Sequence, residues 1–271
     1  MMILSLPKPG FGTFKIPDDG TAEASVREAL KAGYRHVDTA AVYANEAGVG
    51  RAVAEWPRQE IFLTSKLWNT ERGYDSALRA FDKSLSLLGT DYLDLYLIHW
   101  PANRKQFGDK APKINADSWR ALERLYREGR IKAIGLSNFE QHHIEELDWT
   151  AEIAPMVDQV ELHPGFSRAS LREFCAKLDI LVECWSPLRR GKAMDDPTLL
   201  EMGARYGKTP AQLIIRWCIE LGTVPLVKST HAERIRENLE VFDFALSDAD
   251  RDAITAMEGG RLYTDPDQAE F

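Results

Sequence analysis

The chain has 271 residues, 44% hydrophobic and 28% charged, so it can bury a large core, and one α/β barrel of typically ~250 residues accounts for its length. Its 42 acidic residues outnumber 34 basic ones for a net charge of −8, and the basic residues are scattered, which excludes an electrostatic footprint for nucleic acid or an anionic membrane. Cys175, Cys184 and Cys218 are far apart and odd in number, which argues for reduced thiols filling a core; no apolar run approaches a membrane span and Met1–Leu6 is too short for a signal peptide, so a cytoplasmic protein is expected.

Gly10-Phe11-Gly12-Thr13-Phe14, after two prolines, reads as a short strand whose glycines allow close approach to the backbone. Helical spacing follows in Val26, Ala29 and Leu30 and stops at Gly33. Tyr34–Ala40 alternates as a strand, and a helix from Glu46 to Trp56 halts at Pro57. The unit then repeats: strand Ile61–Leu67, a helix from about Tyr74 to Leu88, and strand Tyr92–Ile98 running into His99-Trp100-Pro101. After a loop containing Pro112, the pattern predicts helix Ala116–Glu128, strand Ile131–Leu136, helix Gln141–Leu147 and strand Met156–Glu161. Ser167 is expected to cap helix Ala169–Leu178, and strand Ile180–Trp185 follows. Asp196-Pro197 and Thr209-Pro210 each read as an N-cap with proline in the first turn. Strand Thr223–Val227 leads to a capping box of Thr230 and Glu233 on helix His231–Val241, and Ser247-Asp248 opens a last helix ending at Gly259-Gly260.

Counting the first, eight strands alternate with helices, without Pro-, Gly- or Ser-rich linkers, and the expected architecture is a single-domain (β/α)8 TIM barrel. A doubly wound sheet is the rival. Its dinucleotide fingerprint is missing, because Gly10-Phe11-Gly12 and Gly48-Val49-Gly50 both lack the third glycine.

In a barrel the C-terminal strand ends open on one face, where active sites lie. This chain delivers Asp38, Tyr43, Lys66, Trp68, His99, Trp100, Ser137, Asn138, Gln159, Trp185, Ser186, Lys228 and Ser229 to that face. An ammonium beside a phenol favours the phenolate and lowers the phenol's pKa from ~10, while a carboxylate holds the ammonium in place. Tyr43 is therefore the candidate general acid, Lys66 its tuner and Asp38 the holder of Lys66, with His99 placed to orient a substrate oxygen. Such a site protonates a carbonyl oxygen as the carbon gains a hydride, and no side chain supplies hydride, so a nicotinamide cofactor is expected. Ser137, Asn138 and Gln159 suit its carboxamide, and Trp185 offers a stacking face. Lys228-Ser229-Thr230 running into a helix is the expected phosphate site, with Arg234 and Asn238 one turn apart for an adenosine phosphate and the adenine. There is no metal-ligand spacing. Two rival readings use the same residues: a barrel lyase with Lys66 as a Schiff base, and a non-catalytic nicotinamide-binding subunit.

Gly33-Tyr34-Arg35-His36-Val37-Asp38-Thr39-Ala40 with Tyr43, Asn45 and Glu46, then Ser65-Lys66-Leu67-Trp68, Leu97-Ile98-His99-Trp100-Pro101, Gly135-Leu136-Ser137-Asn138-Phe139, Gln159-Val160-Glu161-Leu162-His163-Pro164, Ser186-Pro187-Leu188 and Pro225-Leu226-Val227-Lys228-Ser229 resemble the aldo-keto reductases, closest to the short bacterial 2,5-diketo-gluconate reductase type. The resemblance implies an extended NADPH bound without a Rossmann domain and a catalytic tetrad of Asp38, Tyr43, Lys66 and His99. It further implies cofactor contacts from Gly12, Thr13, Ser186, Leu188 and Thr230, a 2′-phosphate held by Lys228, Ser229 and Arg234, and adenine contacts from Glu237 and Asn238. A small-molecule carbonyl substrate (a small aldehyde, dicarbonyl or keto-sugar) and a monomer follow from the same likeness. The chain departs from the pattern in a shortened or absent N-terminal hairpin, in Trp185 where Tyr or Phe is common, and in Arg189 where glycine is common. A short C-terminal loop predicts an open pocket walled by Phe14, Trp68, Trp100 and Phe107.

Overall fold

The computed structural model describes residues 6–271. Eight parallel strands, β1 (Gly10–Gly12), β2 (His36–Asp38), β3 (Phe62–Leu67), β4 (Leu93–Ile98), β5 (Ile131–Ser137), β6 (Val157–Glu161), β7 (Leu181–Trp185) and β8 (Val224–Val227), pair in chain order, and β8 closes on β1. At least one helix follows every strand, giving the expected (β/α)8 barrel. The expected loss of an N-terminal hairpin bears partly on residues 1–5, which lie outside the described residues.

Because side chains alternate along a strand, each strand serves two cores. Outward residues such as Phe11, Val37, Leu63, Tyr96, Ile134 and Val160 pack beneath the helices. Inward residues Leu95, Leu97, Ala133, Val157 and Val224 fill the lower barrel together with Leu6. Above this plug the interior turns polar, with His36, Asp38, Thr64, Lys66, Gln159 and Glu183 all buried. Gly10 makes room for that layer, since a Cβ there would lie 2.5 Å from Leu226 Cδ2 and 2.7 Å from His36 Nδ1. The close approach expected at this glycine is thus made by the barrel's own side chains.

Several boundaries differ from the sequence pattern for identifiable reasons. The strand expected over Tyr34–Ala40 shrinks to β2, because Tyr34 N–H still bonds Ala29 O in the turn after Gly33, and Ala41–Tyr43 forms a 3-10 turn. Pro112 lies in the first turn of helix Ala111–Arg127, where its missing N–H costs nothing, and not in a loop. Ser167 does not cap the next helix: Arg168, in the left-handed region at φ 54°, occupies the N-cap of Ala169–Lys177 without a side-chain bond. Thr230 and Glu233 form no capping box. His231 is the N-cap of a six-residue helix, Ala232–Glu237, and its N–H bonds Ser229 Oγ. The caps at Asp196 and Thr209 form as expected, the second as a full capping box with Gln212. All three cysteines are free and buried.

Asp158, on β6, is fully buried with neither carboxylate oxygen hydrogen-bonded. Burial pushes its pKa from 3.8 up to about 8. The folded chain therefore keeps a proton that the unfolded chain releases, so stability falls as pH rises from about 4 to about 8, at about 1.4 kcal/mol per pH unit for this group. Asp158→Asn should flatten that slope when urea midpoints are compared at pH 5, 6 and 7. Identical slopes would show that Asp158 is ionised in the folded chain.

Candidate active site

Around the C-terminal strand ends lies a cleft of about 1060 Å³. Asp38 leaves β2, Lys66 lies in β3, His99 follows β4, and Tyr43 stands on the turn after β2. Lys66 Nζ donates to both oxygens of Asp38 at 2.7 Å and to Thr39 O at 2.9 Å, with its side chain wholly buried. The Tyr43 ring packs between Phe14, at 5.0 Å, and His99, at 5.6 Å, with Lys66 Nζ 5.1 Å from its centroid. The four residues expected to act together are brought together.

Their ionisation is set by burial and by one another. Burial opposes the Lys66 ammonium, but Asp38, and after it Tyr43, outweigh burial and raise its pKa. Burial pushes Tyr43 up to about 12, with Lys66 pulling the other way. This corrects the sequence expectation of a lowered phenol pKa: desolvation exceeds the pull of an ammonium already shared with Asp38, and Tyr43 is a neutral phenol near pH 7. His99 is held well below its usual value, by burial first and Lys66 second, and is a neutral imidazole.

The other predicted residues divide by how they are held. Ser137 Oγ donates to Gln159 O at 2.8 Å. Asn138, left-handed at φ 62°, donates to His99 O and Ser137 Oγ and accepts from Trp185 Nε1 at 2.9 Å, tying the ends of β4, β5 and β7 together. Gln159 Nε2 donates to Asp38 Oδ2 at 2.9 Å and to Glu183 Oε2 at 2.8 Å. Gly12, Phe14, Trp68, Trp100, Trp185, Ser186 and Leu188 line the cleft directly. Lys228, Ser229, Arg234, Glu237 and Asn238 line its far end. Among the described residues neither Lys228 nor Arg234 has an acidic partner, whereas Glu237 accepts from Thr209 Oγ1 at 2.6 Å. The helix that follows is six residues long, its N-cap N–H bonds Ser229 Oγ, and Lys228 and Arg234 are the charges this end presents.

Four predicted residues do not line the cleft, and Lys66 is one of them, buried beneath it against Asp38. Thr13 is buried behind it, donating to Asp38 O. Thr230 is exposed and borders a separate shallow depression. Phe107 packs under the Arg72 guanidinium at 5.3 Å. Sequence reasoning in turn missed the tail. Glu161 accepts from the N–H groups of Leu262 and Tyr263, and Asn103 donates to Pro266 O and Ala269 O. Tyr263 thereby meets Trp185 edge-on at 4.6 Å and accepts from Arg190 Nε at 2.6 Å. Phe271 stacks on Trp68 at 5.7 Å and meets Trp100 at 5.0 Å, so the pocket expected to be open has an aromatic third wall. Arg189 and Arg190 both adopt left-handed φ, so the loop keeps a shape glycine would take more easily. His142, His143 and Asp267 also converge, but His143 Nδ1 accepts Glu140 N–H, so Nε2 carries the proton and donates it to Asp267. That group is a clasp on the tail.

Residues 10–258 match the Aldo/keto reductase family. The chain belongs to that family. It is 46% identical to a glyoxal reductase of Bacillus subtilis, covering 99% of this chain and 95% of that one. It is 44% identical to a 9,11-endoperoxide prostaglandin H2 reductase of Trypanosoma cruzi, covering 97% and 92%. Among solved structures, an aldo-keto reductase from a Medee basin deep-sea metagenome library superposes with a TM-score of 0.93 at 41% identity, covering 99% and 97%. A Gox0644 variant in complex with NADPH does so with a TM-score of 0.91 at 44% identity, covering 98% and 95%. The protein is an oxidoreductase of the aldo-keto reductase type.

Removing one partner from the buried pair strands the other. Lys66→Met leaves Asp38 desolvated, and the expected loss is about 3–5 kcal/mol of stability at pH 7, read from urea denaturation. An unchanged urea midpoint at pH 7 would mean that Asp38 is reached by water.

Proposed function

We propose that this aldo-keto reductase reduces the carbonyl group of small aldehydes, dicarbonyls or keto-sugars to an alcohol, with NADPH as the hydride source. The observation that carries the reading is the charged Lys66–Asp38 pair beneath a neutral Tyr43, beside a neutral His99, at one end of a cleft whose other end holds two free cations. The residues present fit the cofactor. Lys228 and Arg234 supply unpartnered positive charge for a 2′-phosphate, Ser229 a hydroxyl, and Asn238 an amide near the adenine end. Trp185 offers a face for the nicotinamide ring, and Gln159 an amide oxygen for its carboxamide.

Tyr43 gives its proton to the carbonyl oxygen as negative charge develops there. The adjacent ammonium stabilises the phenolate left behind, and Asp38 keeps that ammonium charged and fixed. His99, being neutral, positions the carbonyl oxygen by a hydrogen bond and does not compete as a stronger acid. Phe14, Trp68, Trp100 and Phe271 wall the substrate end, and the likeness to a glyoxal reductase supports small dicarbonyls among its substrates. Lys66 is charged and does not line the cleft, which weighs against its use as a Schiff-base amine. The likeness to the family supports a monomer, and three free thiols suit the reducing cytoplasm. No helix among the described residues is long and apolar enough to cross a membrane.

Tyr43→Phe should still bind NADPH but lose roughly 10²–10⁴-fold in turnover of a dicarbonyl, the usual worth of a general acid. Turnover within a few-fold of the parent would assign the proton to another group.

A further inference from the structure

Glu183 is a buried acid that the mechanism above leaves without a task. It lies on β7 with its side chain inside the barrel and no exposed surface. Its Oε2 accepts one amide hydrogen of Gln159 at 2.8 Å, and Asp38 Oδ2 accepts the other at 2.9 Å. Its Oε1 has no hydrogen-bond partner and faces His36 Nε2 at 3.5 Å. An amide nitrogen between two carboxyl groups has only one stable orientation. Turning the amide over would set its carbonyl oxygen against Asp38 Oδ2, an ionised acceptor already held by Lys66.

We propose that Glu183 is a positioning residue for cofactor binding: with Asp38 it takes both amide hydrogens of Gln159 and thereby presents the Gln159 carbonyl oxygen, and not its NH2, to the nicotinamide end of the cleft. The oxygen so presented selects a ring substituent that carries a hydrogen-bond donor, a primary carboxamide in preference to a ketone. The inference rests on the NADPH reading above. Burial, and after it Asp38, push the Glu183 carboxyl up to about 8. Near neutrality Glu183 thus accepts from Gln159 while adding little negative charge beside Asp38, so the Lys66–Asp38 pair stays undisturbed. The acceptors of Ser137 and Asn138 are already engaged, Ser137 Oγ receiving from Asn138 Nδ2 and Asn138 Oδ1 from Trp185 Nε1, which leaves the Gln159 oxygen for this function.

The test compares dissociation constants, from tryptophan fluorescence, of NADPH and its reduced 3-acetylpyridine analogue, which has a methyl ketone in place of the carboxamide. The parent protein should prefer NADPH by roughly tenfold, since the analogue leaves the Gln159 oxygen desolvated without a donor. Glu183→Leu, which removes the acceptor at similar volume, should bring the ratio toward one. Glu183→Gln, whose side-chain oxygen still accepts from Gln159, should restore it. Glu183→Thr, too short to reach Gln159, serves as a second test should the leucine variant fold poorly, and should likewise lose the preference. A folded Leu or Thr variant that keeps the parental ratio overturns the proposal. Failure of the parent to bind NADPH at all would remove the functional reading itself and the proposal with it.

Discussion

The Lys66–Asp38 ion pair is the constraint on which the rest of the molecule depends. It lies inside the barrel, where moving two charges out of water is costly unless geometry and hydrogen bonding offset the loss. The structure meets that condition with two 2.7 Å contacts, Thr39 O as a third acceptor for the ammonium, and the Gln159 amide on the carboxylate. These partners come from the end of β2 (Asp38, Thr39) and from within β6 (Gln159). A closed barrel therefore does more than house the pair: it fixes three strands, β2, β3 and β6, at the spacing the pair requires.

The interior is graded to suit. Its lower part is aliphatic, closed by Leu6, Leu95, Leu97, Ala133, Val157 and Val224, and gives the packed base on which the polar layer stands. That layer tolerates groups with incomplete hydrogen bonding, including His36 Nδ1, His99 Nδ1 and Glu183 Oε1. Burial keeps these groups neutral near pH 7, with His36 lowered to about 4 and Glu183 raised to about 8. The Lys66–Asp38 pair is then the charge pair that lies against Tyr43, and its ammonium acts on the phenol against the effect of burial. A buried network of this kind sacrifices stability for a defined electrostatic environment.

Much of this was legible in the sequence because the chemistry lies where the strand pattern ends. Asp38, Lys66, His99, Ser137 and Trp185 each lie at or just past the end of a strand segment, with Gln159 inside one, and a parallel barrel brings these strand ends to one rim. Local polar chemistry was read less well. Ser167, Thr230 and Pro112 each have the right residue type for the role assigned, but Ser167 and Thr230 face competition from neighbouring backbone conformations, and proline at a helix start looks like proline in a loop. The direction of the Tyr43 shift was misjudged because desolvation depends on tertiary burial, which a strand-end pattern does not encode. Tyr263, Arg190 and Phe271 were out of reach, since contacts far apart in the chain, through Glu161, Asn103 and Asp267, fold the tail over the cleft.

Carbonyl reduction by this site requires the cleft to hold a phosphorylated nicotinamide cofactor between Trp185 and the Lys228–Arg234 cations. Titration of the purified protein with NADPH, followed by tryptophan fluorescence with NADH as the control, tests this most directly. Quenching should saturate at far lower concentration with NADPH than with NADH. No response to either nucleotide, or equal affinity for both, would contradict it.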